Sequence, residues 1–401
     1  MSRPPVPLHL AVALEGAGWH PAAWREPDAR PADLFTARYW ADLVAEAERG
    51  LLDLVTLEDS LGLQSSVRTG PDGRTDQVRG RLDAVLTAAR IAPLTRHIGL
   101  VPVAVVTHTE PFHLSKAVAT LDHVSSGRAG VQVRVSATPD EAAHFGRRDV
   151  PRLPIAELDS PAGRALLDEL FGEAADYVEV VRRLWDSWED DAEIRDVATG
   201  RFIDREKLHY IDFEGRHFKV KGPSITPRPP QGQPVVAALA HRTEPFRLVA
   251  GSADLGFTTP HDTAQAASIV AEIRSEQERA GRGGETVHVF GDLVVFLDEE
   301  PGRAAERRAR LDAALAAPHT GDAQVFAGTA AELADLLADF AQAGLTGFRL
   351  RPATLPYDLA RITRDLVPEL QRRGLFRASY QADTLRGLLG LPRPANRYTP
   401  A

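Results

Sequence analysis

The residues with most chemical potential lie at the ends of short apolar runs. In GVQVRVSA, residues 130–137, side chains alternate with period two, so Val131, Val133 and Val135 share one face while Gln132, Arg134 and Ser136 share the other. An unpaired guanidinium is too costly to bury, so that polar face must meet water, a partner group or a ligand. His20 in GWHPAAW and His108 in VVTHTE carry imidazoles, whose ordinary pKa suits proton donation or acceptance near neutrality. Asp59 ends LDLVTLED, and His241 and Arg242 follow PVVAALA. The His and carboxylate positions show no metal-ligand spacing, so no metal is expected. No GxSxG elbow supports a serine nucleophile, and no GxGxxG loop marks a bound dinucleotide.

These groups need rigid elements to hold them, and the chain supplies strand-like and helix-like segments in alternation. Residues 8–14, 52–58, 97–106, 130–137, 234–240, 253–259, 287–297 and 346–352 read as strands. Amphipathic stretches at 35–50, 80–92, 111–123, 164–187, 244–251, 262–280, 301–316, 329–343 and 358–373 read as helices. HIGLVPVAVV is nearly continuous in its apolar character, as in sheets covered on both faces. Eight such alternations, joined by right-handed crossovers, predict an α/β fold: a (β/α)8 TIM barrel with insertions, in a single domain over 1–401. An open doubly wound sheet is the alternative. Residues 138–163 are polar and Pro-rich and read as a loop insertion. Residues 188–233 form a longer insertion whose HYIDFEGRHFKV suggests a β-hairpin. The tail beyond Arg373 is expected to wrap the surface.

Composition narrows the function. The chain has 401 residues, 43% hydrophobic and 26% charged, enough for a large core. A net charge of -9 with no long basic run argues against nucleic acid as a partner. The absence of cysteine rules out thiol catalysis, zinc thiolates and disulfides, and is compatible with a cytoplasmic setting. No apolar run approaches the roughly 20 residues needed to span a bilayer.

Five segments in fixed order carry a family resemblance: GWHPAAWREP (18–27), ATLDHVSSGRAG (119–130), VVRRLWDSWEDDA (180–192), HFKVKGP with PRPPQGQPVV (217–236), and LVPELQRRGLFR (366–377). Together they resemble the bacterial-luciferase-like flavin monooxygenases, in the branch with nitrilotriacetate and dibenzothiophene-sulfone monooxygenases. The resemblance implies a two-component system. Reduced FMN comes from a separate flavin reductase, O2 is activated at flavin C4a, and a small organic substrate is oxygenated by a homodimer or homotetramer. It also implies cofactor contacts at the barrel mouth from Asp59, Thr107, Gln132 (where the family carries Asn) and Ser136, with His20 as a catalytic candidate. The residues themselves add Arg134, a departure from the family on the polar face of Gln132, as a cofactor contact and His108, after the third strand, as a second catalytic candidate.

Some positions depart from the family. Leu167 and Phe171 stand where a His and a Tyr usually hold the flavin phosphate. His241 and Arg242 replace a small-residue phosphate turn, and an Arg there can restore the contact as a charge-assisted bond. Arg134 is equally suited to pairing with Glu58 or Asp59. These departures keep two alternatives in view: a degenerate, non-catalytic flavin binder, and a deazaflavin (F420)-dependent reductase on the same barrel.

Overall fold

The computed structural model describes residues 7–67, 70–315 and 319–399. Among them, four parallel strands come first: β1 (His9–Leu14), β2 (Leu54–Leu57), β3 (Gly99–Val105) and β4 (Gly130–Arg134). After an insertion with two short antiparallel pairs, β5 (Glu193–Asp196) with β6 (Arg201–Ile203) and β7 (Phe213–Glu214) with β8 (Lys219–Val220), the parallel strands resume. These are β9 (Val235–Leu239), β10 (Leu255–Thr258), β11 (His288–Leu297), β12 (Gln324–Gly328) and β13 (Gly347–Pro352).

The ring closes. β1 pairs with both β2 and β13, and β10 pairs with β11, so β1-β2-β3-β4-β9-β10-β11-β13 is a closed parallel barrel. The open-sheet alternative is thereby excluded. β12 is an addition that the sequence reading did not anticipate. Ten-residue β11 outruns its neighbour β10, which engages only its first four residues, and β12 takes the free upper edge at Leu293–Leu297. The short QVFAG run is only half-buried, which explains its weak strand signal.

Helices cover the outside: α1 (Ala37–Arg49), α2 (Ala84–Ile91), α3 (Pro111–Val124), α4 (Pro139–Ala143), α5 (Pro161–Asp186), α6 (Thr243–Ser252), α7 (Thr263–Arg279), α8 (Arg303–Ala314), α9 (Ala330–Gln342), α10 (Tyr357–Arg361) and α11 (Val367–Arg372). Side-chain caps start several of them: Thr36 on α1, Asp83 on α2, Ser160 on α5 and a Thr329–Glu332 capping box on α9. Residues 138–163 are therefore not all loop. Pro139 at the first helical position, followed by Asp140 and Glu141, favours the short α4.

The largest core lies between sheet and helices, and the outward Val131 and Val133 of β4 belong to it. A second core fills the barrel floor. There the inward Ala11, Leu54, Val101, Ala237, Leu255 and Phe290 meet Leu385, Leu389 and Leu391 of the C-terminal tail. This corrects the expectation that the tail wraps the surface. Its short helix α12 (Leu385–Leu388) plugs the bottom of the cylinder, and His288 Nε2 lies 2.8 Å from the Leu389 carbonyl oxygen. With the floor sealed, the opposite mouth is the way in. No helix among the described residues is long and apolar enough to cross a membrane.

Candidate active site at the barrel mouth

Above the floor, the barrel interior turns polar, and its centre is a chain of charges absent from the sequence-based candidates. In GFRLRP of β13, Phe348 and Leu350 pack outward while Arg349 and Arg351 point into the barrel, the same alternation as in β4. Arg349 and Arg351 are 1% and 2% exposed, and both reach the fully buried Asp292 of β11. Arg349 Nε donates to Asp292 Oδ1 (2.9 Å), and Arg351 Nε donates to Asp292 Oδ2 (3.0 Å). Arg349 Nη1 donates to Gln132 Oε1 (2.6 Å) and to Thr56 Oγ1 (3.3 Å). Arg351 Nη1 donates to Asp322 Oδ1 (2.7 Å), just ahead of β12. Aromatic faces complete the seats, Phe257 under Arg349 and Trp19 under Arg351. Arg351, helped by His241, holds the Asp322 carboxyl far below the usual carboxylate range despite its burial.

A cavity of about 390 Å³ opens over this chain. Its polar wall includes Glu58, Gln132, Arg134, Arg349, Arg351 and Asp322. Its apolar wall includes Val135, Leu158, Leu167, Phe171, Leu239 and Leu248. The lining thus combines polar donors with hydrocarbon, as an amphipathic ligand requires.

The candidates from sequence divide into two groups. Gln132, Arg134, His241 and Arg242 line this cavity. Gln132 has its carbonyl taken by Arg349, leaving its amide nitrogen without a protein partner among the described residues. Arg134 is exposed, and its Nη1 donates to the main-chain oxygen of Asp59 (2.9 Å), so its direct link to Asp59 bypasses the carboxylate. His241 lies between Thr259 Oγ1 (3.0 Å) and Asp322 (3.4 Å), with burial lowering its pKa. Arg242 meets Asp159 and Glu244.

The others are not among the lining residues. Asp59 accepts from the amides of Ser60 (2.7 Å) and Ala84 (3.0 Å), tying the strand end to the start of α2. Thr107 Oγ1 accepts from Ser136 N (2.9 Å), and Ser136 Oγ accepts from Thr138 N (3.3 Å), which binds the β3 and β4 ends together. His20 is buried with Asp312 at 3.2 Å and accepts from Ala22 N, and desolvation lowers its pKa. His108 is also buried, in the left-handed backbone region (φ 72°), stacked near Phe145. Its Nε2 lacks a partner among the described residues.

The donor set suits a flavin. The isoalloxazine edge needs donors for its carbonyls and ring nitrogens, which Gln132, Arg349 and Arg351 can supply, while Leu167, Phe171 and Leu239 suit the benzenoid end. A neighbouring depression shares His241 and Arg242 and includes Arg164 and the first turn of α6, which has no side-chain N-cap. Free helix-terminal amides beside two basic side chains suit a phosphate, although Asp159 and Glu244 compete for Arg242.

Comparison with known proteins agrees with this architecture. The family model described as luciferase-like monooxygenase matches residues 17–345. The chain is 30% identical to N-acetyl-S-(2-succino)cysteine monooxygenase of Bacillus subtilis (strain 168), over 98% of both proteins. It is 29% identical to nitrilotriacetate monooxygenase component A of Aminobacter aminovorans, over 97% of both. The crystal structure of long-chain alkane monooxygenase superposes with a TM-score of 0.84 at 23% identity, covering 97% of this chain and 96% of that one.

Proposed function

The chain belongs to the luciferase-like monooxygenase family, and from that premise we propose that it is the oxygenating component of a two-component, FMN-dependent monooxygenase acting on a small organic molecule. The observation that carries this reading is one cavity lined both by Gln132, Arg349 and Arg351 and by Leu167, Phe171 and Leu239. Reduced FMN, when bound, supplies the two electrons that divide O2 between the substrate and water. The protein's share is placement and dryness: the sealed floor leaves the mouth as the entrance, and Leu158 of the 138–163 segment adds an apolar side chain to the cavity lining. Arg242 and His241 serve the phosphate, in place of the His and Tyr that Leu167 and Phe171 replace. The same division of labour calls for a flavin reductase as a transient partner.

The test is stopped-flow mixing of the protein, preloaded anaerobically with reduced FMN, against O2. Protein-bound FMN should return to its oxidised spectrum through a delayed phase that free FMN lacks. A time course identical to that of free FMN removes the proposal.

A further inference from the structure

A second carboxyl at the end of β2, Glu58, lies on the cavity wall beside the charge chain, and its surroundings specify its protonation. Arg349 Nη1 is 3.5 Å from Glu58 Oε1, yet both Nη1 protons are committed, one to Gln132 and one to Thr56. The Thr56 hydroxyl accepts from Arg349 and donates its own proton to Glu58 Oε1 (3.3 Å). Oε2 meets no donor among the described residues.

The charge count points the same way. Arg349 and Arg351 are already balanced by Asp292 and Asp322, two against two. Two further charged groups lie near Glu58, of opposite sign. Glu15, at the end of β1, is a like charge paired with Arg81 (2.9 Å), and Arg134 of β4 is exposed to solvent. An ionised Glu58, its side chain 10% exposed, would have to share Arg349 with Asp292 and otherwise face the solvent-screened Arg134. We infer that Glu58 is held as a neutral carboxylic acid and is the cavity's proton donor. Burial raises its pKa despite the nearby arginines, in agreement with this assignment.

The role rests on the proposed function. In the overall reaction, reduced flavin, O2 and substrate become oxidised flavin, oxygenated substrate and water. Both electrons and both protons of the water come from the reduced flavin, so Glu58 is regenerated. It lends its proton to the oxygen that departs as water and recovers one released as the flavin is oxidised. Of the other titratable groups lining the cavity among the described residues, Asp322 is held ionised and His241 is kept neutral by burial.

Two readouts test this. In flavin-free protein at neutral pH, infrared difference spectroscopy of wild type against Glu58→Gln should show a protonated-carboxyl carbonyl band that shifts in D2O and vanishes in the variant. The near-isosteric Glu58→Gln and the apolar Glu58→Leu should both fold, as checked by thermal melting. With bound reduced FMN and O2, wild-type reoxidation should slow as pH rises through the Glu58 pKa. Glu58→Gln should be slower by about a hundredfold, with that pH dependence gone. No carbonyl band overturns the inference. A band together with an unchanged pH profile in Glu58→Gln overturns the proton-donor role. Failure to bind FMN would count against the proposed function and leave the band to decide the protonation state.

Discussion

Replacing Asp292 by alanine should be among the most damaging single changes in this barrel. The carboxylate is fully buried and bonds to two guanidiniums that are themselves 1% and 2% exposed. Removing one partner of a buried ion pair costs about 3–5 kcal/mol, because a desolvated charge is left behind. Here two charges lose a partner, but each keeps another: Arg351 retains Asp322, and Arg349 retains Gln132 and Thr56. A loss of about 4 kcal/mol is therefore expected. At roughly 2.1 cal/mol/K per residue, unfolding entropy for this chain is about 0.8 kcal/mol/K, so the melting temperature should fall by about 5 °C. Scanning calorimetry with urea unfolding measures both quantities. Adding Arg349→Met to Asp292→Leu should recover more than half the loss, since an apolar replacement of the whole pair leaves no orphaned charge. A cost below about 1 kcal/mol for Asp292→Ala, or strictly additive effects in the double variant, would refute the buried-chain account.

Other consequences are separable. Asp59→Ala should destabilise by about 1 kcal/mol in urea unfolding, because Asp59 satisfies the amides of Ser60 and Ala84 in the manner of a helix cap. Arg242→Ala should weaken FMN binding about tenfold and leave riboflavin binding unchanged, as one partly exposed charge-assisted contact would dictate; equal losses for both ligands would remove Arg242 from the phosphate. His288, on the barrel floor, has its pKa lowered from 6.5 to about 4, chiefly by burial. A depressed histidine contributes stability above its unfolded pKa and loses it as pH falls through the folded value, so melting temperature should decline between about pH 6.5 and 4. That decline should be smaller in His288→Asn.

Much of the barrel was legible because its strands are short apolar runs separated by amphipathic helices. The eight strands of the ring follow those runs closely. The extra strand β12 was missed because QVFAG is brief and half-buried, supported by the overhanging end of β11 rather than by its own pattern. The tail was misplaced because LRGLLGLP gives no hint of the apolar floor it enters, which is built from one or two buried residues of each of six strands distant in sequence.

The site was legible at one end only. GVQVRVSA announced itself through polar residues in a strand, and TGFRLRP carries the same signal just as plainly. The cue that pairs with it is Asp292, a lone charge in VHVFGDLVVFL, 57 residues before Arg349. A buried acid in an apolar strand demands a buried base, and two arginines on the inner face of β13 supply it. Glu58 was passed over for Asp59 because adjacent positions on a strand end cannot be assigned to inside or outside without the register. That register sets Glu58 on the cavity wall and gives Asp59 to the start of α2.

The central claim, that the polar barrel mouth holds a reduced flavin, is tested most directly by anaerobic titration of the protein with reduced FMN, alongside reduced F420 and the Gln132→Leu variant. The account predicts saturable one-to-one binding of reduced FMN, weaker binding in Gln132→Leu, and preference for FMN over F420. No saturable FMN binding, or preference for F420, would contradict it.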